Sequence, residues 1–167
     1  MTGAPPGAVA GETVLEIRGL TVDAPRSTHG SLLADVSLRA ARLETVGVVG
    51  ISGCGKSVLA SAILGLLRIP PLTVDGSIEL LGQELIGRPE QELRRLRGSD
   101  VSLIVSNARS RLNPLLPVGE QLVRSIRAKR SVSKAEAAVE ARGLLESVGI
   151  GDPDRRMRAL PSELSGG

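Results

Sequence analysis

The chain has no Phe, no Trp and no Tyr among its 167 residues. Its core must be built from aliphatic side chains, without the roughly 150–250 Å² that each aromatic buries. A function that needs an aromatic stacking platform, such as holding single-stranded nucleic acid, is excluded. Cysteine occurs once, at Cys54, so no intramolecular disulfide can form. Histidine also occurs once, at His29, which argues against a Cys/His zinc site and leaves one residue for any Ser–His pair. Long apolar runs are missing too. The longest, Val58–Leu67, is interrupted by Ser61 and Gly65, whereas a membrane span needs about 20 residues. Met1 to Glu12 has neither a basic start nor an apolar stretch, so it does not read as a secretory leader. Rich in Gly, Ala and Pro, residues 1–12 read as a disordered lead-in.

What is present is aliphatic. Leu, Ile and Val together number 50, enough for a folded core. Net charge is +3 with a pI near 9.7. The Arg residues fall in small groups, such as Arg94, Arg95, Arg97 and Arg155, Arg156, Arg158, with acids interspersed. That pattern reads as a solvated surface, and no nucleic-acid partner is expected.

The order of elements changes along the chain. Val14–Ile17 and Leu20–Val22 read as two short strands around Arg18-Gly19, and Val36–Arg39 as another. Thr45–Val49 is a short apolar run, β-branched except at Gly47 and ending at Gly50, the pattern of a buried parallel strand. Val58–Leu67 reads as a buried helix stopped before Pro70-Pro71. Asp75-Gly76 reads as a turn before a strand over Ser77–Leu81, and Pro89–Arg97 as a helix stopped by Gly98. Val101–Val105 reads as a second buried strand. Beyond it the pattern is helical: Val118–Arg127, then Ser133–Val148 opened by the capping box Ser133-Lys134-Ala135-Glu136, then a short helix after Asp152-Pro153. The expected division is residues 1–12, a β part with an α/β core over 13–105, and a helical part over 106–167.

Gly50-Ile51-Ser52-Gly53-Cys54-Gly55-Lys56-Ser57 fits G-x-x-x-x-G-K-[ST] in full. The glycines let successive backbone N–H groups turn toward one point, and the helix that follows adds its own N-terminal donors and dipole. Lys56 is placed to reach β- and γ-phosphates, and the Ser57 hydroxyl to ligate Mg2+. Gly50, Ser52, Gly53, Cys54, Gly55, Lys56, Ser57 and Val58 are the candidate nucleotide-binding residues. Cys54 reads as a small filler, since the loop needs only its backbone.

Further on, Leu164-Ser165-Gly166-Gly167 resembles the signature motif of ABC-transporter ATPases. Gly55–Val58 with Ala62–Leu67 resembles the oligopeptide, dipeptide and nickel importer ATP-binding subunits. So does Arg111-Leu112-Asn113-Pro114-Leu115-Leu116-Pro117-Val118-Gly119-Glu120-Gln121, which is similar to their SLNP-x-x-x-V-G-E-Q stretch. The resemblance runs from about Val14 to Gly167. It implies an α/β P-loop NTPase fold: an ABC-type ATPase core with an N-terminal antiparallel β part and a following helical subdomain. It implies ATP and Mg2+ as cofactors and hydrolysis coupled to transport. It also implies head-to-tail pairing with a second ABC ATPase domain, in which Leu164, Ser165, Gly166 and Gly167 face the other domain's nucleotide. The implied partners are membrane permease subunits and, indirectly, a substrate-binding protein, with the chain peripheral on the cytoplasmic face of the plasma membrane.

Several positions depart from the family's pattern. The sequence stops within the signature motif, so the Walker B strand, the D-loop and the switch His have no counterpart in it. It is therefore expected to be an incomplete, nucleotide-binding fragment in which the C-terminal part of the sheet is missing. That leaves apolar faces of the Val46–Val49 and Val101–Val105 strands exposed. Ser106 stands where the family has the Q-loop Gln. Ala24 stands where an adenine-stacking aromatic is usual, and Leu43 replaces a turn glycine in Arg42-Leu43-Glu44-Thr45. The alternative readings are a non-catalytic relic of such a subunit and, more remotely, a DNA-associated ABC ATPase.

Overall fold

Residues 13–23 alternate apolar and polar side chains closely enough to pair on both edges, and they form one strand, β1 (Thr13–Asp23). The computed structural model describes residues 11–25, 30–105 and 111–164. β1 is the centre of a wholly antiparallel sheet with β2 (Leu33–Ala41), β3 (Thr73–Leu80) and β4 (Gln83–Glu84), in the order β2-β1-β3-β4. The two short strands expected around Arg18-Gly19 are thus one. Gly19, at φ 57°, absorbs the irregularity as a register shift against β3 between Arg18 and Thr21. The turn expected at Asp75-Gly76 lies inside β3 instead. Gly76 has φ 103°, and a Cβ there would stand 2.6 Å from the Gly19 carbonyl oxygen, so only glycine permits this approach of two backbones.

The inward face of the sheet is aliphatic. Ile17, Leu20, Val22, Ile78 and Leu80 pack with Leu59 and Ala62 of α1 (Lys56–Ile63) and Leu93 of α2 (Glu90–Leu96). Each large aliphatic residue buried in this way contributes about 1.5–3 kcal/mol. Helix α1 is shorter than the apolar run suggested. It ends at Ile63 because Gly65 takes a left-handed conformation, φ 61°, well before Pro70-Pro71. Its last carbonyls are capped by a side chain. Arg97 donates from Nε to the Leu64 oxygen at 2.8 Å and from Nη2 to the Gly65 oxygen at 3.0 Å. A cation there also complements the helix dipole.

Two expected strands are not formed. Residues 45–49 are in no strand, and Val46, Val48 and Val49 are 41%, 49% and 93% exposed. Of 101–105, only Val101 forms an isolated bridge, with Arg97, while Leu103 and Ile104 are exposed. A buried parallel strand needs hydrogen-bonding neighbours, and among the described residues neither run has a flanking strand. The apolar exposure expected of these runs is present; the strand conformation is not.

The chain divides into two compact units, Met1–Leu103 and Ile104–Gly167. The second is helical: α3 (Val118–Lys129), α4 (Lys134–Ser147) and α5 (Pro153–Arg158), followed by a 3-10 turn at Pro161–Glu163. Its core is small, with Val123 of α3 packed on Ala137 and Ala141 of α4. Gly119 lets α3 approach α5 closely, since a Cβ would lie 2.6 Å from the Met157 carbonyl oxygen. The capping box is formed as its sequence implies, with Glu136 N–H donating to Ser133 Oγ at 3.2 Å and Ser133 N–H to the Glu136 carboxylate at 2.8 Å.

Candidate phosphate-binding site

The loop Gly50–Gly55 leads into α1, which starts at Lys56. Gly55 is the N-cap, at φ 96°, and offers no side-chain cap; the first turn carries no acid. The orphan N–H groups of this helix start are therefore not consumed by a neighbouring side chain. Gly53, at φ 83°, supplies the other left-handed turn of the loop. The loop's base is pressed onto the β1–β2 connection. A Cβ on Gly55 would lie 2.7 Å from Leu33 Cδ2 and 2.9 Å from the Leu32 carbonyl oxygen. Leu32 in turn donates its N–H to the Val22 oxygen at 2.7 Å, so the sheet holds the loop.

Lys56 closes the loop on itself. Its Nζ donates to the carbonyl oxygens of Gly50 and Ile51, each at 2.7 Å, and lies 3.4 Å from Cys54 Sγ. The ammonium is thus fixed at the loop's mouth beside exposed backbone. Cys54 is exposed and packs on Gly50, where a Cβ would come within 2.4 Å of its sulfur. Ser52 and Gly53 form an exposed turn. Ser57 is exposed in the first turn of α1, and its hydroxyl has no hydrogen-bond partner among the described residues. Val58 is half-buried against the core behind the loop. Uncapped helix donors, a fixed cation and an open hydroxyl make a donor set suited to a polyphosphate with Mg2+. Among the described residues no three His, Cys, Asp or Glu gather as a metal cluster.

Other expected site residues are placed less fully. Leu164 is half-buried and extended just after the 3-10 turn. Ser165, Gly166, Gly167, Ser106 and His29 lie outside the described residues. Ala24 is half-buried in the turn after β1. Leu43 takes a left-handed backbone conformation, φ 63°, and is 89% exposed.

Some positioning residues carry no motif. Arg97, which clamps the far end of α1, is distant from the loop in sequence. Its only local signal is a cation just past a helix end. In the helical unit, Gln121 accepts from Asn113 N–H at 2.8 Å and donates to the Asn113 and Leu116 oxygens at 3.0 and 2.8 Å. This lock accounts for the Gln of the 111–121 stretch; the Asn113 side chain separately accepts from the Leu115 N–H at 2.9 Å, while Pro114 and Pro117 have no N–H to give.

Comparison with known proteins agrees with this geometry. The family model described as ABC transporter matches residues 33–167. A dipeptide transport ATP-binding protein, DppD of Bacillus subtilis, is 37% identical over 162 residues, covering 93% of this chain and 47% of that protein. The oligopeptide transport ATP-binding protein OppD of Escherichia coli is 41% identical over 131 residues, covering 78% of this chain and 38% of that protein. The chain therefore spans less than half the length of these two relatives. A solved structure titled as the ATP binding subunit of an ABC transporter superposes with a TM-score of 0.58 at 26% identity, covering 92% of this chain and 56% of that one. By its P-loop, its fold and the match over residues 33–167, the chain belongs to the ABC transporter family.

Proposed function

We propose that this chain binds the phosphates of ATP, with Mg2+, at Gly50–Ser57, as part of the ATP-binding component of a peptide importer. The observation that carries the reading is the start of α1: a helix N-terminus with no side-chain cap and no acid, with Lys56 Nζ fixed beside it. Lys56 and the first-turn amides would hold the β- and γ-phosphates, and Ser57 would ligate Mg2+. The metal supplies charge neutralisation across the phosphate oxygens when bound. The chain's own residues do the rest: Gly53 and Gly55 give the loop its curvature, Leu32 and Leu33 support it, and Arg97 holds the far end of the helix.

The peptide-importer part of the reading is supported by the names of the relatives, which are transport ATP-binding proteins for dipeptides and oligopeptides. In such an assembly, Leu164 to Gly167 would face the nucleotide of a second ATPase domain, and Ser106 would stand at the Q-loop position. The component would sit peripherally on membrane permease subunits at the cytoplasmic face, served indirectly by a substrate-binding protein. No helix among the described residues is long and apolar enough to cross a membrane by itself.

Equilibrium binding of radiolabelled ATP with Mg2+ tests the site, because a chain without Trp or Tyr gives little optical signal. The parent is expected to bind in the micromolar to millimolar range, and Lys56→Ala to lose binding by at least about a hundredfold, the scale of charge-assisted phosphate contacts. Far-UV circular dichroism of both proteins confirms that folding is unchanged. A folded parent that does not bind, or a Lys56→Ala variant that binds equally, overturns the reading.

A further inference from the structure

A cavity of about 350 Å³ lies beside the C-terminal end of α1, the end away from the phosphate loop. Its wall is aliphatic: Leu67, Leu72, Val74, Leu85 and Ile86, with Ala62 of the helix. Gly87 also lines it, and a Cβ there would meet nothing within 4 Å. Among the described residues, one charged side chain lines this cavity, Arg68, and no acid does.

Arg68 is held by backbone rather than by an acid. Its Nη2 donates to the Arg88 carbonyl oxygen, which fixes the guanidinium at the cavity wall. Among the described residues it makes no ion pair. Its charge is felt at Glu90, whose carboxyl is held below the usual range, first by its hydrogen bond from Arg97. Arg97 occupies both oxygens of that carboxylate, at 2.6 and 3.2 Å. The cation at the cavity is therefore available to a ligand.

An aliphatic wall with one fixed cation is complementary to an amphipathic anion. A nucleotide does not suit it, because its sugar and base would leave polar groups unpaired against leucines. We propose that this cavity binds a medium-chain alkyl carboxylate, its tail among Leu67, Leu72, Val74 and Leu85 and its head on Arg68. The volume sits at the low end of small-molecule sites, which span about 300–1,000 Å³, and so favours about eight carbons over sixteen. This site is separate from the phosphate loop, and its test does not depend on nucleotide binding.

Titration of hexanoate, heptanoate and octanoate into the 15N-labelled chain, followed by amide chemical shifts, tests the assignment. Each added methylene is expected to tighten binding about fourfold, at about 0.8 kcal/mol per buried CH2. Shifts should concentrate at Leu67, Leu72, Val74 and Ile86. Arg68→Gln, an exposed substitution, should weaken octanoate about tenfold or more and leave octan-1-ol unchanged. Equal loss of the acid and the alcohol, an unchanged affinity for octanoate, or no shift at these residues overturns the proposal. So do shifts centred on the exposed Val49 and Ile51, which would mark a non-specific apolar surface.

Discussion

Helices α1 and α4 begin with the same problem and solve it in opposite ways. Each exposes backbone N–H groups that its own turns cannot satisfy. At α4 the chain supplies the answer: Ser133 and Glu136 exchange hydrogen bonds, and the helix start is closed. At α1 the chain supplies a glycine with no side chain, no acid in the first turn, and a lysine turned back on the loop. One end is closed by its own side chains; the other keeps its donors open, which under the proposed function serves a phosphate. Two or three side chains decide whether the same backbone donors are satisfied within the chain or left uncapped.

Gly55→Ala is the strongest way to break the open end. Alanine would have to adopt φ 96°, with its Cβ 2.9 Å from the Leu32 carbonyl oxygen, a backbone atom that cannot move aside alone. The expected loss is about 3 kcal/mol, from a conformation costing about 1–3 kcal/mol plus the clash. Nucleotide binding should fall with it. Hydrogen exchange read by mass spectrometry should show loss of protection in residues 11–103 and none in 111–164. Gly143→Ala in α4 is the control: a Cβ there meets nothing within 4 Å, and alanine favours the helix.

Glu84 extends the comparison to a strand end, where one carboxylate again satisfies several donors. It accepts from the Ile78, Leu85 and Ile86 amides at 3.1, 2.9 and 2.8 Å, and from Ser77 Oγ at 2.5 Å. Burial pushes its pKa up, but the Ser77 hydroxyl and the three amides outweigh it and hold the carboxyl below the ordinary 4.5. The folded state thus binds this proton less readily than the unfolded chain. The stabilisation is complete above the unfolded value and is lost as pH falls through the lower folded one. Glu84→Gln should cost about 1–2 kcal/mol at pH 7 and flatten this acid limb, measured by urea unfolding between pH 7 and pH 3.

Ser133→Ala addresses the closed end. Removing the cap should cost about 1 kcal/mol, and Ser133→Gly only a few tenths. Both should leave ATP affinity unchanged. An ATP affinity that followed the α4 cap would contradict the division of roles between the two helix starts.

How much of this could be read beforehand differs by feature. The loop Gly50–Ser57, the Ser133–Glu136 box and the Asp152-Pro153 helix start are local, and each rests on a few adjacent residues whose chemistry has one use there. The bulged pairing at Gly19 and Gly76 was not legible, because Asp-Gly signals a turn and a close backbone approach equally well. The run 45–49 has the composition of a buried strand, but composition specifies a strand only when partners flank it. Arg97 and Leu33, which hold α1 and its loop, act across long sequence separations and carry no motif.

Leu43 sharpens the comparison at its smallest scale, since it lies on the approach to the open helix start. It holds φ 63° with its side chain in solvent, so it bears the cost of a left-handed backbone without any packing in return. Leu43→Gly removes a strain of about 1–2 kcal/mol but adds freedom to the unfolded chain worth a little less. The net expectation is a gain of about 0.5 kcal/mol, seen as a rise in the urea midpoint with an unchanged slope. An unchanged or lowered midpoint would mean that the turn tolerates leucine without strain.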